Sequence, residues 1–138
     1  DGGAVIKGSS FILDRLGLNG TVHTCAGYSA KLFPRSEYLK EYLNYLFEDL
    51  NDSFWDFKGS IPFKEADVSF GVRESGCDAE GKFEFTGVPD GTYYLNTTVY
   101  YVGGPLMTIP PNNKGGMFLK KIVVQGQKDQ RVVLSRQQ

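Results

Sequence analysis

Alternation of apolar and polar residues is the leading feature of this sequence, and it marks most of the chain as β-strand. In 82–86, Phe83 and Phe85 stand between polar residues, which is the pattern of a strand with one buried face. The run 92–102 is rich in tyrosine, threonine and valine, which favour strands. Turn-forming Asp, Pro, Asn and Gly residues separate such runs. We predict seven strands, at residues 4–13, 28–33, 65–73, 82–86, 92–102, 117–124 and 130–134, and residues 21–24 could add a short one.

Residues 36–50 change to a helical period and predict one amphipathic helix. Apolar residues from Leu39 to Leu50 recur at the spacing of one helix face. Ser36 is the predicted N-cap, because its hydroxyl can accept a hydrogen bond from the first turn. The helix belongs to an insertion at residues 35–63, between the second and third strands. We expect it to cover one sheet or the open edge between the sheets.

The strands need one another to bury their apolar faces, so the sequence predicts a mainly β fold. The expected architecture is a single seven-stranded, mostly antiparallel β-sandwich with the one inserted amphipathic helix. We expect one domain over residues 1–138, because this length suits a single hydrophobic core. The predicted core is Ile6, Leu32, Val68, Phe70, Phe83, Phe85, Tyr93, Leu95, Val99, Ile122, Val124 and Val133.

The segment 77–95 also fits a known pattern, D-x-x-G-x-F-x-F-x-x-V-P-x-G-x-Y-x-L. The matching residues are Asp78, Gly81, Phe83, Phe85, Val88, Pro89, Gly91, Tyr93 and Leu95. The segment resembles the carboxypeptidase regulatory-like domain, which belongs with the transthyretin-like (prealbumin-like) and Cna-B-type β-sandwiches. The resemblance covers most of the chain outside residues 35–63 and implies a transthyretin-like, Greek-key sandwich. It implies no particular activity, since such modules serve unrelated proteins.

Charge and hydropathy argue against nucleic-acid binding and against a membrane-spanning helix. A net charge of −1 gives no excess of cations for nucleic acid, whose phosphates require them. No apolar run approaches the roughly 18 residues of a membrane-spanning helix. Because the chain begins with Asp1 rather than Met, we expect a processed or trimmed chain, compatible with a signal peptide or a lipid anchor upstream.

Cys25 and Cys77 are the two cysteines of the chain, and they lack the spacing of a metal site. A bridge between them would close a loop of about 52 residues and stabilise the fold by roughly 4 kcal/mol. We predict this disulfide, which places the protein in the periplasm or outside the cell, where thiols are oxidised. The alternative is a pair of buried free thiols in a cytosolic protein.

Motifs of catalysis and metal binding are incomplete in this sequence. Residues 76–83 fall one residue short of a P-loop, and Asp78 and Glu80 would repel a phosphate. His23 is the only histidine, so the sequence cannot build a multi-histidine zinc or iron site. Residues 49–60 lack the glycine and the glutamate of a calcium loop. We therefore predict no enzyme activity, no catalytic or metal residues and no cofactor.

The insertion at 35–63 holds the only tryptophan of the chain, next to phenylalanines and acidic residues. Aromatic anchors with a charged rim are typical of protein interfaces, and insertions between rigid strands often carry function. The alternative is that these aromatic residues pack the helix onto the sheets. The candidate partner-binding residues are Phe54, Trp55, Phe57, Asp49, Asp52 and Asp56.

The function predicted from these observations is a non-catalytic module of an exported or cell-envelope protein, which acts through contacts with a protein partner. A carbohydrate-binding module is the alternative, because Tyr94, Tyr100 and Tyr101 could stack on sugars. Packing across neighbouring strands is the commoner explanation for such tyrosines. The sequence leaves the identity of the partner, protein or glycan, open.

Overall fold

Strands make up most of the computed structural model, which describes residues 3–15, 20–47, 49–57, 72–103 and 112–137. Nine strands and one helix lie in these ranges. In chain order they are β1 (Ala4–Asp14), β2 (Thr21–Thr24), β3 (Ser29–Pro34), α1 (Glu37–Leu46), β4 (Asp52–Asp56), β5 (Arg73–Gly76), β6 (Lys82–Val88), β7 (Gly91–Gly103), β8 (Asn112–Val124) and β9 (Gln130–Gln137).

Strand β1 is the centre of a four-stranded sheet, which we call sheet A. Along one edge of β1 runs β9, in parallel, with Arg131 beside Lys7. The other edge is shared, because β6 pairs with the first half of β1 and β2 with the second half. The change of partner falls at Ser10, whose N–H donates to the carbonyl of Gly81 while its own carbonyl accepts from the N–H of Cys25. One long strand therefore joins the three others.

Five strands form the second sheet, sheet B, in the order β4-β8-β7-β3-β5, and every pair in it is antiparallel. The pairing of β1 with β9 is parallel, while every other strand pair among the described residues is antiparallel, so the sheets are mostly antiparallel as predicted. Strands β8 and β9 belong to different sheets. The short connection between them therefore crosses from sheet B to sheet A and brings β9 alongside β1 in the same direction.

The two sheets face each other across one hydrophobic core, to which both contribute inward side chains. Across this core, the hydroxyl oxygens of Ser10 in β1 and Thr97 in β7 share a hydrogen bond of 2.7 Å. The predicted core residues Val68 and Phe70 lie outside the described residues. Nine further residues are buried as predicted: Ile6, Leu32, Phe83, Phe85, Tyr93, Leu95, Val99, Ile122 and Val124.

The prediction that Val133 belongs to the core is wrong. Its side chain is 62% exposed, while Val132 and Leu134 are buried. Residues 132–134 form an uninterrupted apolar run, so alternation alone does not determine which side chains point inward. A shift of one residue reverses the faces of a strand. The register of β9 against β1 sets Val133 beside Ser9, on the outer face of sheet A.

Helix α1 begins as predicted, with the hydroxyl of Ser36 accepting from the N–H of Leu39 at 3.1 Å. It ends at Leu46, four residues before the predicted end at residue 50. Phe47 takes an extended backbone conformation, and the carboxylate of Asp49 accepts the N–H of Asn51 in a local turn. An acidic side chain is also unfavourable at a helix C-terminus, which carries partial negative charge. Together these features stop the helix early.

The helix packs on the outer face of sheet B, one of the two positions expected for it. Leu39, Leu43 and Phe47 recur at helical spacing and are buried. The cluster that they join also contains residues of β3, β7 and β8, namely Phe33, Tyr94 and Leu119. Sheet B therefore has apolar contacts on both of its faces.

The strand count differs from the prediction, because nine strands lie in the described residues where seven were predicted for the chain. Short strands account for the difference. The aromatic run of the insertion forms β4, which pairs with β8 at the edge of sheet B, and Thr21–Thr24 pairs with β1. The strand predicted at 65–73 falls largely outside the described residues, and β5 begins at Arg73.

The predicted disulfide between Cys25 and Cys77 is present, with 5.8 Å between the two Cα atoms. Cys25 follows β2 of sheet A, and Cys77 follows β5 of sheet B. The bridge therefore ties the two sheets together near one end. Among the residues described, no helix has the length and hydropathy needed to cross a membrane.

Candidate functional site

The outer face of sheet A is exposed and carries charged side chains because its strands alternate. In β6, Phe83 is buried while Lys82 and Glu84 are exposed. The register places Lys7 between Glu84 of β6 and Arg131 of β9, so the three charged side chains form one row across the sheet. Residues far apart in the sequence therefore meet on one surface.

A cleft of about 560 Å³ lies on this face. Strands β1, β6 and β9 form its floor, and β5 with the turn after it forms one wall. We call it the sheet A cleft, and its lining residues are Lys7, Gly8, Ser9, Ser75, Gly76, Asp78, Lys82, Phe83, Glu84, Arg131, Val132 and Val133.

Hydrogen bonds fix the wall of the cleft. Strand β5 pairs with β3 in sheet B, but it also lies along β6 of sheet A. The hydroxyl of Ser75 accepts the N–H of Glu84 at 3.1 Å. The guanidinium of Arg73 donates to the carbonyls of Thr86 at 2.7 Å and Gly87 at 3.2 Å. These contacts join the edges of the two sheets and hold the wall against the floor.

Several charges in and around the cleft are already paired. Lys7 lies 3.6 Å from the carboxylate of Glu84, and Lys82 lies 3.0 Å from that of Glu80. The hydrogen bond to Glu80 is the main reason that the pKa of Lys82 is raised. One carboxylate oxygen of Asp78 accepts the N–H groups of Glu80 and Lys82, so this side chain shapes the turn before β6.

A second, smaller crevice lies between the edge strands β4 and β9, with a volume of about 280 Å³. The guanidinium carbon of Arg136 sits 4.6 Å from the centroid of the Phe54 ring, a cation–π contact. Nearby, Asp52 lies 3.8 Å from Lys120. The crevice is a narrow seam between the two sheets, lined in part by residues of the core.

The aromatic residues predicted to bind a partner do not share one surface. Phe54 and Trp55 are consecutive in β4 and therefore point to opposite faces of sheet B. Phe54 packs against Phe118 of the core, with ring centroids 4.8 Å apart. Trp55 packs in the cluster beneath α1, and Phe57 is only 2% exposed. This arrangement agrees with the alternative that the aromatic residues pack the insertion onto the sheet.

The three acidic residues predicted beside them have separate environments. Asp49 accepts the N–H of Asn51, and Asp52 is 70% exposed beside Lys120. Asp56 ends β4. Burial is the main reason that the pKa of Tyr101 is raised to about 12, and the negative charges of Asp14 and Asp56 add to this shift. A protein interface centred on this segment stays a prediction.

The tyrosines considered for sugar stacking are largely occupied by packing. Tyr94 is 3% exposed beneath α1, and Tyr101 is 7% exposed. The ring of Tyr101 stacks on that of His23, with centroids 3.6 Å apart. Tyr100 is half-buried and lies 6.4 Å from the ring of Phe57. Cross-strand packing therefore explains their positions, and Tyr94 and Tyr101 offer no face for a sugar.

His23 closes one end of the core. Burial lowers the pKa of its imidazole, and the charge of Asp14 opposes that shift in part. A neutral imidazole stacked on a phenol ring suits a packing role. Within the described part of the chain, no group of three or more His, Cys, Asp or Glu side chains is placed to hold a metal ion.

The sequence did not predict the cleft as a binding site. Lys82 and Glu84 did stand out as the polar positions of an alternating strand. Lys7 and Arg131 join them only through the strand order, which local alternation does not reveal. The sequence does show charged residues at outward positions of three strands. They can be recognised as one site only when it is known that β6 and β9 are the neighbours of β1.

The fold and the cleft define a mainly β protein of two facing sheets, with one open sheet face that carries charged side chains. Its fold is similar to the crystal structure of a protein from Pseudomonas aeruginosa described as a "putative carbohydrate binding protein", with a TM-score of 0.73. The two chains are 24% identical, and the match covers 98% of this chain and 89% of the other. Comparison with protein-family profiles finds no match, and neither does comparison with curated protein sequences.

Proposed function

We propose that this chain is a non-catalytic binding module of an exported or cell-envelope protein and that it binds carbohydrate in the sheet A cleft. The observation that carries the proposal is the cleft itself, an open concavity of about 560 Å³ on a sheet face, lined by both charged and apolar residues. Ligand-binding pockets typically have volumes of about 300–1,000 Å³. In fold, we propose a transthyretin-like, Greek-key β-sandwich of the carboxypeptidase regulatory-like type.

The chemistry of the lining suits a sugar. Sugar hydroxyls both donate and accept hydrogen bonds, and the cleft presents a hydroxyl on Ser9, an ammonium on Lys7 and a carboxylate on Glu84. Val133 supplies an exposed apolar surface at the same place, against which the C–H groups of a sugar ring could pack. Because these side chains project from paired strands, binding would require little ordering of the backbone.

The comparison with the Pseudomonas aeruginosa protein supports the same ligand class. That protein is described as a "putative carbohydrate binding protein", and its fold matches this chain over nearly the whole length. The disulfide supports the proposed compartment, because disulfides persist in the periplasm and outside the cell.

A glycan array screened with the protein and two variants at Gly76 tests this proposal. Gly76 lines the cleft, and a side chain added there meets no atom within 4 Å at its first carbon. Gly76→Trp should therefore fill part of the cleft without disturbing the fold, while Gly76→Ala is the matched control. We expect glycan binding by the wild type and by Gly76→Ala, and loss of binding in Gly76→Trp. If the wild-type protein binds none of the glycans on the array, the proposal is overturned.

Contact with a protein partner is the second candidate, and the exposed apolar residues of the same face favour it. Val22 is 57% exposed and Val133 is 62% exposed on the outer face of sheet A. Exposed valines on one sheet face can serve a protein interface as well as a sugar. Binding of a protein that survives in Gly76→Trp, without any binding to glycans, would favour this candidate.

A further inference from the structure

The charges that line the sheet A cleft do not balance. Its cations are Lys7, Lys82 and Arg131, and its carboxylates are Asp78 and Glu84. Glu84 is paired with Lys7, and Asp78 is occupied by backbone N–H groups of its own turn. The positive charge of Arg131 is therefore left without a carboxylate from the cleft.

Arg131 projects from β9 toward the cleft. Val132 is buried, so its neighbour Arg131 turns outward, and the parallel register sets it beside Lys7. Among the described residues, Arg131 makes no ion pair within 4 Å. It also lies close enough to Lys82 for the two positive charges to repel, although Glu80 outweighs this effect on the pKa of Lys82. Arg131 and Lys82 thus both line the cleft, on the two strands that flank β1.

An exposed guanidinium without a carboxylate partner is well suited to bind an anion. Its planar N–H groups match the two oxygens of a carboxylate, sulfate or phosphate, and such paired hydrogen bonds are about twice as strong as neutral ones. A bound anion would also relieve the repulsion between Arg131 and Lys82. A neutral sugar offers neither contribution.

We propose that the sheet A cleft selects acidic glycans and that Arg131, assisted by Lys82, binds their carboxylate or sulfate groups. This inference rests on the proposed carbohydrate-binding function and specifies its ligand class. Lys7 and Glu84, which are paired with each other, contact the sugar hydroxyls instead.

The test compares oligouronates and sulfated oligosaccharides with their carboxyl-reduced and desulfated counterparts on one array, followed by calorimetry on the oligosaccharides that bind. Arg131→Gln removes the charge and the paired N–H groups. Arg136→Gln is the matched control, because Arg136 lies on the same strand but lines the other crevice. Arg131→Lys keeps the charge but loses the planar fork.

We expect the acidic members to bind more tightly than their neutral counterparts, and added salt to weaken only the acidic ones. Arg131→Gln should weaken acidic binding at least about tenfold, Arg131→Lys less, and Arg136→Gln little. The relative affinities of uronates and sulfated sugars then identify which anion is bound.

Equal binding of acidic and neutral partners, unchanged in Arg131→Gln, would overturn the inference and leave the carbohydrate-binding proposal in place. Binding of neutral glycans alone would have the same meaning. Absence of binding to every glycan would overturn both.

Discussion

The outer faces of the two sheets are opposite in character. On sheet B, Tyr94 and Leu119 are buried under α1, in a cluster that also contains Leu43. On sheet A, the corresponding outward positions include Lys7 and Val133, and both are exposed. The covered face is apolar and contributes to stability, whereas the open face combines charged side chains with exposed valines and carries the cleft.

The difference between the two sheets is visible in the residue patterns of their strands. In β7, Tyr93, Tyr94 and Leu95 are consecutive and all buried, as in strands that are covered on both faces. In β6, buried Phe83 alternates with exposed Lys82, as in strands that are covered on one face. In these two strands, burial of consecutive residues marks the covered sheet, and alternation of buried and exposed residues marks the open one.

The largest expected effect is loss of the bridge between the two sheets. The chain from Cys25 to Cys77 holds β3, α1, β4 and β5, which belong to sheet B and its covering layer. Replacing both cysteines with serine should lower the free energy of unfolding by about 4 kcal/mol, measured by urea denaturation. Reduced wild-type protein is the control and should unfold at the same midpoint. Two titratable thiols in the native, unreduced protein would contradict the bridge.

A matched pair of substitutions compares the two outer faces directly. Leu119→Ala removes a side chain that is 0% exposed on sheet B, and it should cost about 3 kcal/mol of unfolding free energy. Val133→Ala, on sheet A, should change stability by less than about 0.5 kcal/mol. Denaturation curves of both variants measure these effects. Equal losses of unfolding free energy in the two variants would contradict the conclusion that one outer face is covered and the other is open.

Trp55→Ala distinguishes packing from partner binding in the insertion. Because Trp55 is half-buried in the cluster beneath α1, we expect a loss of about 2 kcal/mol, roughly half of that for a fully buried ring. Trp55→Phe is the control and should recover part of this loss. A variant of wild-type stability that no longer binds a protein partner would instead support the predicted protein interface.

The smallest expected effect is a pH dependence from His23. Burial lowers its pKa in the folded state, so the unfolded chain binds the proton more readily. Stability should therefore fall as the pH drops through about 6.5, the pKa of the unfolded chain, toward the lower pKa of the folded state. Denaturation midpoints between about pH 7.5 and 5.5 measure this slope, in a range above most carboxyl titrations. His23→Gln should flatten it, and a slope that persists in this variant would assign the effect to another group.

Much of the fold was predictable because alternation is a local property. The inward residues Phe83 and Phe85 follow from it, and the helix that starts after Ser36 follows from the equally local helical period. Where the pattern is ambiguous, the prediction failed, as in the apolar run that contains Val133. The helix end was missed because it depends on Phe47 leaving the helical conformation, which helical periodicity does not encode.

The candidate site was not predictable in the same way. Lys7, Lys82 and Arg131 come from three strands that are distant in sequence, and their meeting depends on the strand order around β1. The aromatic insertion drew attention instead, because a tryptophan beside phenylalanines suits both an interface and a packed layer. The structure shows that this segment is a strand paired with β8, and consecutive residues of a strand, such as Phe54 and Trp55, lie on opposite faces of the sheet.

The central claim is that the ligand binds on the open outer face of sheet A. The most direct test is to titrate the ¹⁵N-labelled protein with an acidic oligosaccharide that binds on the array and to record the amide chemical shifts. We expect the largest shifts at residues 7–9, 75–78, 82–84 and 131–133, with α1 and Trp55 unaffected. Shifts centred on α1 and β4, with the strands of sheet A unchanged, would contradict the account.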